Sequence, residues 1–192
     1  MPQTTVHKLD QTLLLILNQW NHPGMDLFFK LITSTFFWTP LYSLLLFLIR
    51  KALGWKGVVF FALTIVISDQ ISATWLKPLF ARYRPCYLIS QLHLIGSHTG
   101  LYGFPSSHAA NTYAFAMLFW RIFKNRYRFS GLFFIWATIV SYGRIYGGVH
   151  YPLDVLAGAI VGCCVGIFMH HIYQKSNNLN SLPKWPRKGY LK

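Results

Sequence analysis

Glutamate is absent from this 192-residue chain, and aspartate occurs only at Asp10, Asp26, Asp69 and Asp154. Against 18 Lys and Arg, these four acids leave a net charge of +14. So few, scattered carboxylates exclude a carboxylate metal cage and a glycosidase-type acid pair. Charge of either sign is scarce: 11% of residues, where a soluble domain carries about 25%. An ordinary cytosolic protein is excluded on that ground. Cysteine is scarce too. Cys163 and Cys164 fall inside an apolar run and Cys86 stands apart, so no disulfide framework is available. What is plentiful is hydrophobic (54%) and aromatic (18%), a composition that excludes disorder. The length fits one domain.

A membrane-crossing helix needs about 20 mostly apolar residues. Five runs approach this: 31–49, 57–76 (broken only by Asp69), 107–120, 129–143 and 155–174. Residues 9–18 are apolar but too short to cross, and they read as a helix lying in the interface. A short apolar core with no small-residue cleavage site argues against a signal peptide. The expectation is an all-α integral membrane protein: five transmembrane helices plus an N-terminal interfacial helix, or a sixth, tilted one. Residues 1–173 form the membrane domain and 174–192 a basic cytoplasmic tail. The third and fourth runs would reach only about 21–23 Å at 1.5 Å per residue. Either arginines at their ends snorkel, or one end stops inside the membrane and leaves a sunken polar pocket.

With five crossings, three basic clusters share one side: Arg50, Lys51 and Lys56; Arg121, Lys124, Arg126 and Arg128; Lys175, Lys184, Arg187, Lys188 and Lys192. The positive-inside rule makes that side cytoplasmic. These charges sit between spans, not on one continuous face, which argues against nucleic-acid binding. They favour contact with anionic lipid headgroups.

The opposite side gathers cations and imidazoles from three span ends: Lys77 and Arg84; Ser106, Ser107 and His108; Arg144, His150 and Asp154. Charges at membrane level are costly and mark functional sites. Cations gathered around a single Asp suit a dense anion such as phosphate, held by arginine forks and a lysine. Pro105 stops any preceding helix and Ser106 is a good N-cap. The free N–H groups of 106–108 would then face the anion at a helix N-terminus.

Lys77-x6-Arg84-Pro85, Pro105-Ser106-Ser107-His108 and Gly143-Arg144-x5-His150-x3-Asp154 resemble, in order and spacing, the three-part signature of the type 2 phosphatidic acid phosphatase superfamily. The likeness covers residues 77–154. Ser107 stands where Gly is usual and Gly143 where Ser is usual. The resemblance implies a metal-independent and cofactor-independent mechanism. In it His150 attacks phosphorus to form a phosphohistidine, Asp154 orients His150, and His108 protonates the leaving oxygen and then activates water. Lys77, Arg84, Ser106, Ser107 and Arg144 bind phosphate.

A pocket at the outer face of a multi-pass inner membrane would receive a lipid phosphate. The candidates are lipid A phosphate, which is preferred on general resemblance, undecaprenyl diphosphate, phosphatidylglycerol phosphate and phosphatidic acid. A lipid-phosphate binding or transport protein without turnover is the reading from another class, and vanadate-dependent halide oxidation a third. The oligomeric state is left open.

Outside the signature, Arg82 reads as an interface anchor. Asp69 and Asn111 read first as interior structural residues and second as site support. Loop residues His93 and His98 read as solvated. Gly158, Gly162 and Gly166 form a stripe that lets another helix approach.

Overall fold

The computed structural model describes residues 5–34, 36–95 and 100–176, and among them there is no β-strand, only one isolated antiparallel bridge between Tyr83 and Tyr102. The helices are α1 (Thr5–Asn18), α2 (Pro23–Ile32), α3 (Thr39–Asp69), α4 (Lys77–Phe80), α5 (Ser107–Phe123), α6 (Leu132–Tyr146) and α7 (Pro152–Ser176). A π-helical stretch, Gln70–Leu76, joins α3 to α4 without a break. Among the described residues, two stretches are long and apolar enough to cross a membrane, Phe36–Phe80 and Pro152–Ser176, and Leu132–Tyr146 is apolar but shorter.

Gly54 alone within α3 leaves helical dihedrals, with φ 70° and ψ −172°. Residues on its two sides, Ile49 and Phe61, join one apolar cluster with α5 and α7. A straight helix would hold residues 12 apart at about 18 Å, so the chain bends at Gly54 and both arms of α3 feed the same cluster. The two runs read separately at 31–49 and 57–76 therefore fall on the two helical arms either side of this kink. Residues 31 and 32 belong instead to α2, a helix the apolar run conceals. Pro23 opens α2 at a position proline favours, and His22 Nδ1 caps it by accepting from the Gly24 N–H at 3.1 Å.

The distribution of polarity is inverted relative to a soluble bundle. Leu44, Phe47, Val66, Ile135, Leu156, Ile160 and Phe168 are exposed, whereas Thr64, Ser68, Ser72, Arg84, Arg144, His150 and Asp154 are buried. Apolar outside and polar inside is what a hydrocarbon solvent selects. α1 is less peripheral than an interfacial helix. Its Leu14, Asp10 and Asn18 are buried against the bundle, while Leu9, Leu13 and Ile16 face out. Asn18 Nδ2 donates to the carbonyls of His93 and Tyr146, and its Oδ1 accepts from the His93 N–H.

The tightest pairing is α5 against α7, along the glycine stripe. A Cβ at Gly158 or Gly162 would collide with the backbone carbonyls of Ser106 and Ala110. At Gly166 it would come within 2.7 Å of Met117 Cβ. The stripe thus serves packing within the bundle. At the far end, the Lys56 ammonium donates to the Ser176 carbonyl and Arg121 Nε to His170 Nδ1. The basic bend of α3 around Lys56 and the basic ends of α5 and α7 therefore share one pole. α7 runs to Ser176, past the boundary expected at 174, and the rest of the basic tail lies outside the described residues.

Gly162→Val should disturb the α5–α7 contact, because overpacking a close interface costs about 1–3 kcal/mol. Thermal unfolding in detergent should show a lower midpoint than the parent protein; an unchanged midpoint would mean the helices have slack there.

Candidate active site

At the pole opposite the basic ends, a cavity of about 1100 Å³ is lined by Lys77, Arg84, Ser107, His108, Arg144 and His150. Six of the eight residues expected from the sequence thus share one space. They arrive on five different local structures. Lys77 follows the π-helical turns, and Arg84 sits in the loop after α4. Ser107 and His108 open α5, Arg144 lies in the last turn of α6, and His150 in the turn between α6 and α7. That turn is held by the Arg144 carbonyl, which accepts from the N–H groups of both Val149 and His150 at 3.2 Å. Gly148 allows it, at φ 67°, where a Cβ would also come within 3.0 Å of the His93 carbonyl.

Arg84 Nη1 lies 2.8 Å from His150 Nε2. A guanidinium can only donate, so Nε2 is the acceptor and a neutral ring carries its proton on Nδ1. Nδ1 is 3.4 Å from Asp154 Oδ2, longer than a formed hydrogen bond. Contacts of this kind often tighten only when substrate is bound. Burial, followed by Arg84, Arg144 and Lys77, holds the His150 imidazole well below its ordinary pKa. Arg84 is fixed by donating Nε to the Gly100 carbonyl at 3.0 Å and Nη1 to the Val149 carbonyl at 3.2 Å. Burial also lowers the Arg84 pKa, from a value so high that the group stays cationic.

Asp154 does not line the cavity but stands behind His150. Its Oδ2 accepts from the Tyr151 N–H at 3.0 Å, and Arg82 Nη1 donates to its Oδ1 at 2.7 Å. The other arm of the Arg82 fork, Nη2, reaches Asp10 Oδ2 at 2.6 Å, while Asp10 Oδ1 accepts from the Leu153 N–H at 2.9 Å. The guanidinium also lies 4.1 Å from the centroid of the Tyr151 ring. Reading Arg82 as an interface anchor is therefore corrected. Two fully buried carboxylates, one on α1 and one on α7, need a shared cation, and Arg82 supplies it. Sequence reasoning missed Asp10 as well; its one signal was a lone acid inside an apolar helix.

Several polar atoms here have no protein partner among the described residues: Ser106 Oγ, Ser107 Oγ, Arg144 Nε and His150 Nδ1. Buried donors without acceptors are costly, and their convergence near one cavity points to an anionic ligand. Ser106 departs from expectation. It occupies the N-cap position, but its hydroxyl caps nothing and its N–H donates to the Asp154 carbonyl at 2.9 Å. That N–H is not free for an anion. The N–H groups left over are those of Ser107 and His108, in the first turn of α5.

Gly143 has a local cause. A Cβ there would come within 2.7 Å of Thr33 Cγ2 and 3.0 Å of Phe29 Cδ1, so α2 rests on the space a serine would fill. His93 is not a solvated loop residue. Its Nε2 is 2.8 Å from Asp26 Oδ1, which also accepts from the Tyr146 hydroxyl at 2.6 Å. His98 lies outside the described residues. Gly103 was missed entirely: a Cβ there would come within 2.9 Å of Asp154 Oδ2 and 3.5 Å of His150 Nδ1.

Two expectations follow. His150 should stay neutral on acidification, visible as an unchanged imidazole nitrogen resonance from pH 7.5 down to 5.5; titration near 6.5 would contradict the burial argument. An unfolded histidine gains its proton as pH falls through about 6.5 while the folded one does not, so this residue lowers folding stability below that pH. Second, Arg82→Met leaves Asp10 and Asp154 buried without a counter-charge. Its thermal midpoint in detergent should fall, with partial recovery in Asp10→Asn/Arg82→Met; no recovery in the double variant, or no fall at all, would contradict the shared ion pair.

Residues 57–178 match the profile of the PAP2 superfamily. The chain is 36% identical over 191 residues to the lipid A 4'-phosphatase of Bacteroides thetaiotaomicron, covering 94% of this chain and 84% of that protein. The crystal structure of Aquifex aeolicus LpxE superposes with a TM-score of 0.67 at 30% identity, over 84% of this chain and 94% of that one. A transmembrane PAP2-type phosphatidylglycerolphosphate phosphatase from Bacillus subtilis superposes with a TM-score of 0.72 at 21% identity, over 91% and 89%, and speaks to the fold. With the signature residues gathered around one cavity in an inside-out helical bundle, the chain belongs to the PAP2 superfamily of phosphatases.

Proposed function

We propose that this membrane phosphatase removes a phosphate from the sugar headgroup of lipid A. The single observation that carries the phosphatase reading is the meeting of Lys77, Arg84, Ser107, His108, Arg144 and His150 around one cavity. The likeness to the Bacteroides lipid A 4'-phosphatase over almost the whole chain supports the substrate. The cavity favours a lipid as well, because it continues from these polar groups into apolar walls.

In the proposed mechanism, a phosphate oxygen takes over the Arg84 hydrogen bond and frees the His150 Nε2 lone pair. Nε2 attacks phosphorus, forming the P–N bond as the P–O bond to the headgroup breaks. His108 gives its proton to the departing oxygen, then accepts one from the water that cleaves the P–N bond. Asp154, held by Arg82 and the Tyr151 N–H, keeps the proton of His150 on Nδ1 and stabilises the ring as it gains charge. Lys77, Arg84 and Arg144 bind the equatorial oxygens, with Ser106 Oγ within the same polar cluster and Ser107 adding both its N–H and its hydroxyl. The step requires a protonated His108 and neutral His150, two imidazoles in opposite states.

We place the catalytic pole at the periplasmic or outer face, since the basic bend of α3 and the basic ends of α5 and α7 lie at the opposite pole. Five crossings are inferred when the two arms of α3 are counted separately, with 1–173 as the membrane unit and 174–192 as a cytoplasmic tail.

Phosphate release from lipid A in detergent should survive EDTA and be blocked by vanadate, which mimics the five-coordinate phosphorus. His150→Ala should reduce kcat on the order of 10³-fold or more. Equal rates for the two proteins would leave a binding protein without turnover; loss of activity with EDTA alone would require a metal.

A further inference from the structure

The cavity has three zones. Beside the signature residues it is cationic, and at its far end it is walled by apolar side chains such as Leu45, Ile49, Phe61 and Phe115. Between the two zones lie Asp69 and Asn111, which also line it. The Asn111 amide Nδ2 donates to Asp69 Oδ1 at 3.0 Å. Asn111 Oδ1 is buried with no partner among the described residues, and Asp69 stands half-buried in the cavity wall beside it. A contact made only to join two helices would leave the Asn111 acceptor buried without a partner, which is costly. An ionisable residue at membrane depth that faces a cavity is a functional candidate.

The placement beside the reaction is specific. Asn111 follows His108 by three residues, one turn further into α5, or about 4.5 Å along its axis. If His108 protonates the leaving oxygen, the atoms bonded to that oxygen come next, against Asn111 and Asp69. Both side chains present acceptors at that point, so the group they suit carries donors: hydroxyls or an amide N–H. An alkyl or polyprenyl monophosphate offers only CH groups at the same place and would leave Asn111 Oδ1 unpaired.

We propose that Asp69 and Asn111 form a subsite for the hydroxyl- or amide-bearing sugar ring that carries the scissile phosphate, and so select a glycolipid over a plain alkyl or polyprenyl phosphate. This rests on the phosphatase reading and adds the basis of its headgroup selectivity. The helix geometry contributes. Asp69 and Lys77 are eight residues apart, which in a regular α-helix leaves them roughly 80° apart around the axis. The wider π turns of Gln70–Leu76 intervene, and both side chains line the cavity.

The test compares kcat/KM for an acylated glucosamine phosphate and for an alkyl phosphate of matched chain length, using the full-length protein in detergent. The parent enzyme should favour the sugar substrate by about 10-fold or more, because sites built to bond hydroxyls reject analogues that lack them. In Asp69→Ala and Asn111→Ala that preference should shrink at least several-fold, chiefly through KM for the sugar substrate. A preference unchanged in both variants, whatever their overall rates, would overturn the subsite and leave a packing role. Should neither variant fold, the parent alone decides: equal kcat/KM for the two substrates overturns the proposal, and a deoxygenated sugar phosphate cleaved as poorly as the alkyl phosphate supports it. Phosphate release from neither substrate by the parent would instead remove the phosphatase reading on which the subsite rests.

Discussion

The close approach of α5 and α7 governs everything at this site. Gly158 and Gly162 bring the two backbones so near that a methyl group would strike a carbonyl of α5. At that depth the Ser106 N–H reaches the Asp154 carbonyl at 2.9 Å. The start of α5, which carries Ser107 and His108, is thereby pinned to the start of α7, where Asp154 stands behind His150. Any side chain larger than hydrogen along the stripe would separate these two helix ends. The chemistry requires them within reach of one phosphorus atom.

Electrostatics sets the second constraint. Lys77, Arg84 and Arg144 line one cavity while the nearby Asp154 is already occupied by Arg82. Arg82 is in turn divided between Asp154 and Asp10. Asp154 is therefore neutralised from behind by Arg82, away from the cavity that the three cations line. Unpartnered donors at Ser106, Ser107 and Arg144 belong to the same imbalance. Like charges lining one cavity repel one another, so the arrangement favours an anion among them.

Much of this was legible in the sequence, because the signature chemistry is carried by residue type and spacing. Lys77, Arg84, His108, Arg144, His150 and Asp154 fall where their pattern implies, and α5, α6 and α7 coincide with apolar runs to within a few residues. What escaped was whatever depends on contact between distant segments. Asp10 and Arg82 meet across 72 residues and leave no periodic trace. α2 was hidden because residues 31 and 32 continue an apolar run. The π-helical stretch follows from a shift in hydrogen bonding that composition does not encode. Ser106 has the residue type of a cap, yet its hydroxyl is left without a partner by the path of the chain into α5. Gly143, read only as a departure from pattern, reflects the seating of α2.

The central claim is that His150, not a serine hydroxyl, takes the phosphoryl group. Rapid quenching in base during turnover of a radiolabelled lipid phosphate, followed by peptide mapping, tests it most directly. The account predicts a base-stable, acid-labile label on the peptide containing His150, absent from His150→Ala. An acid-stable label on Ser106 or Ser107 would contradict it.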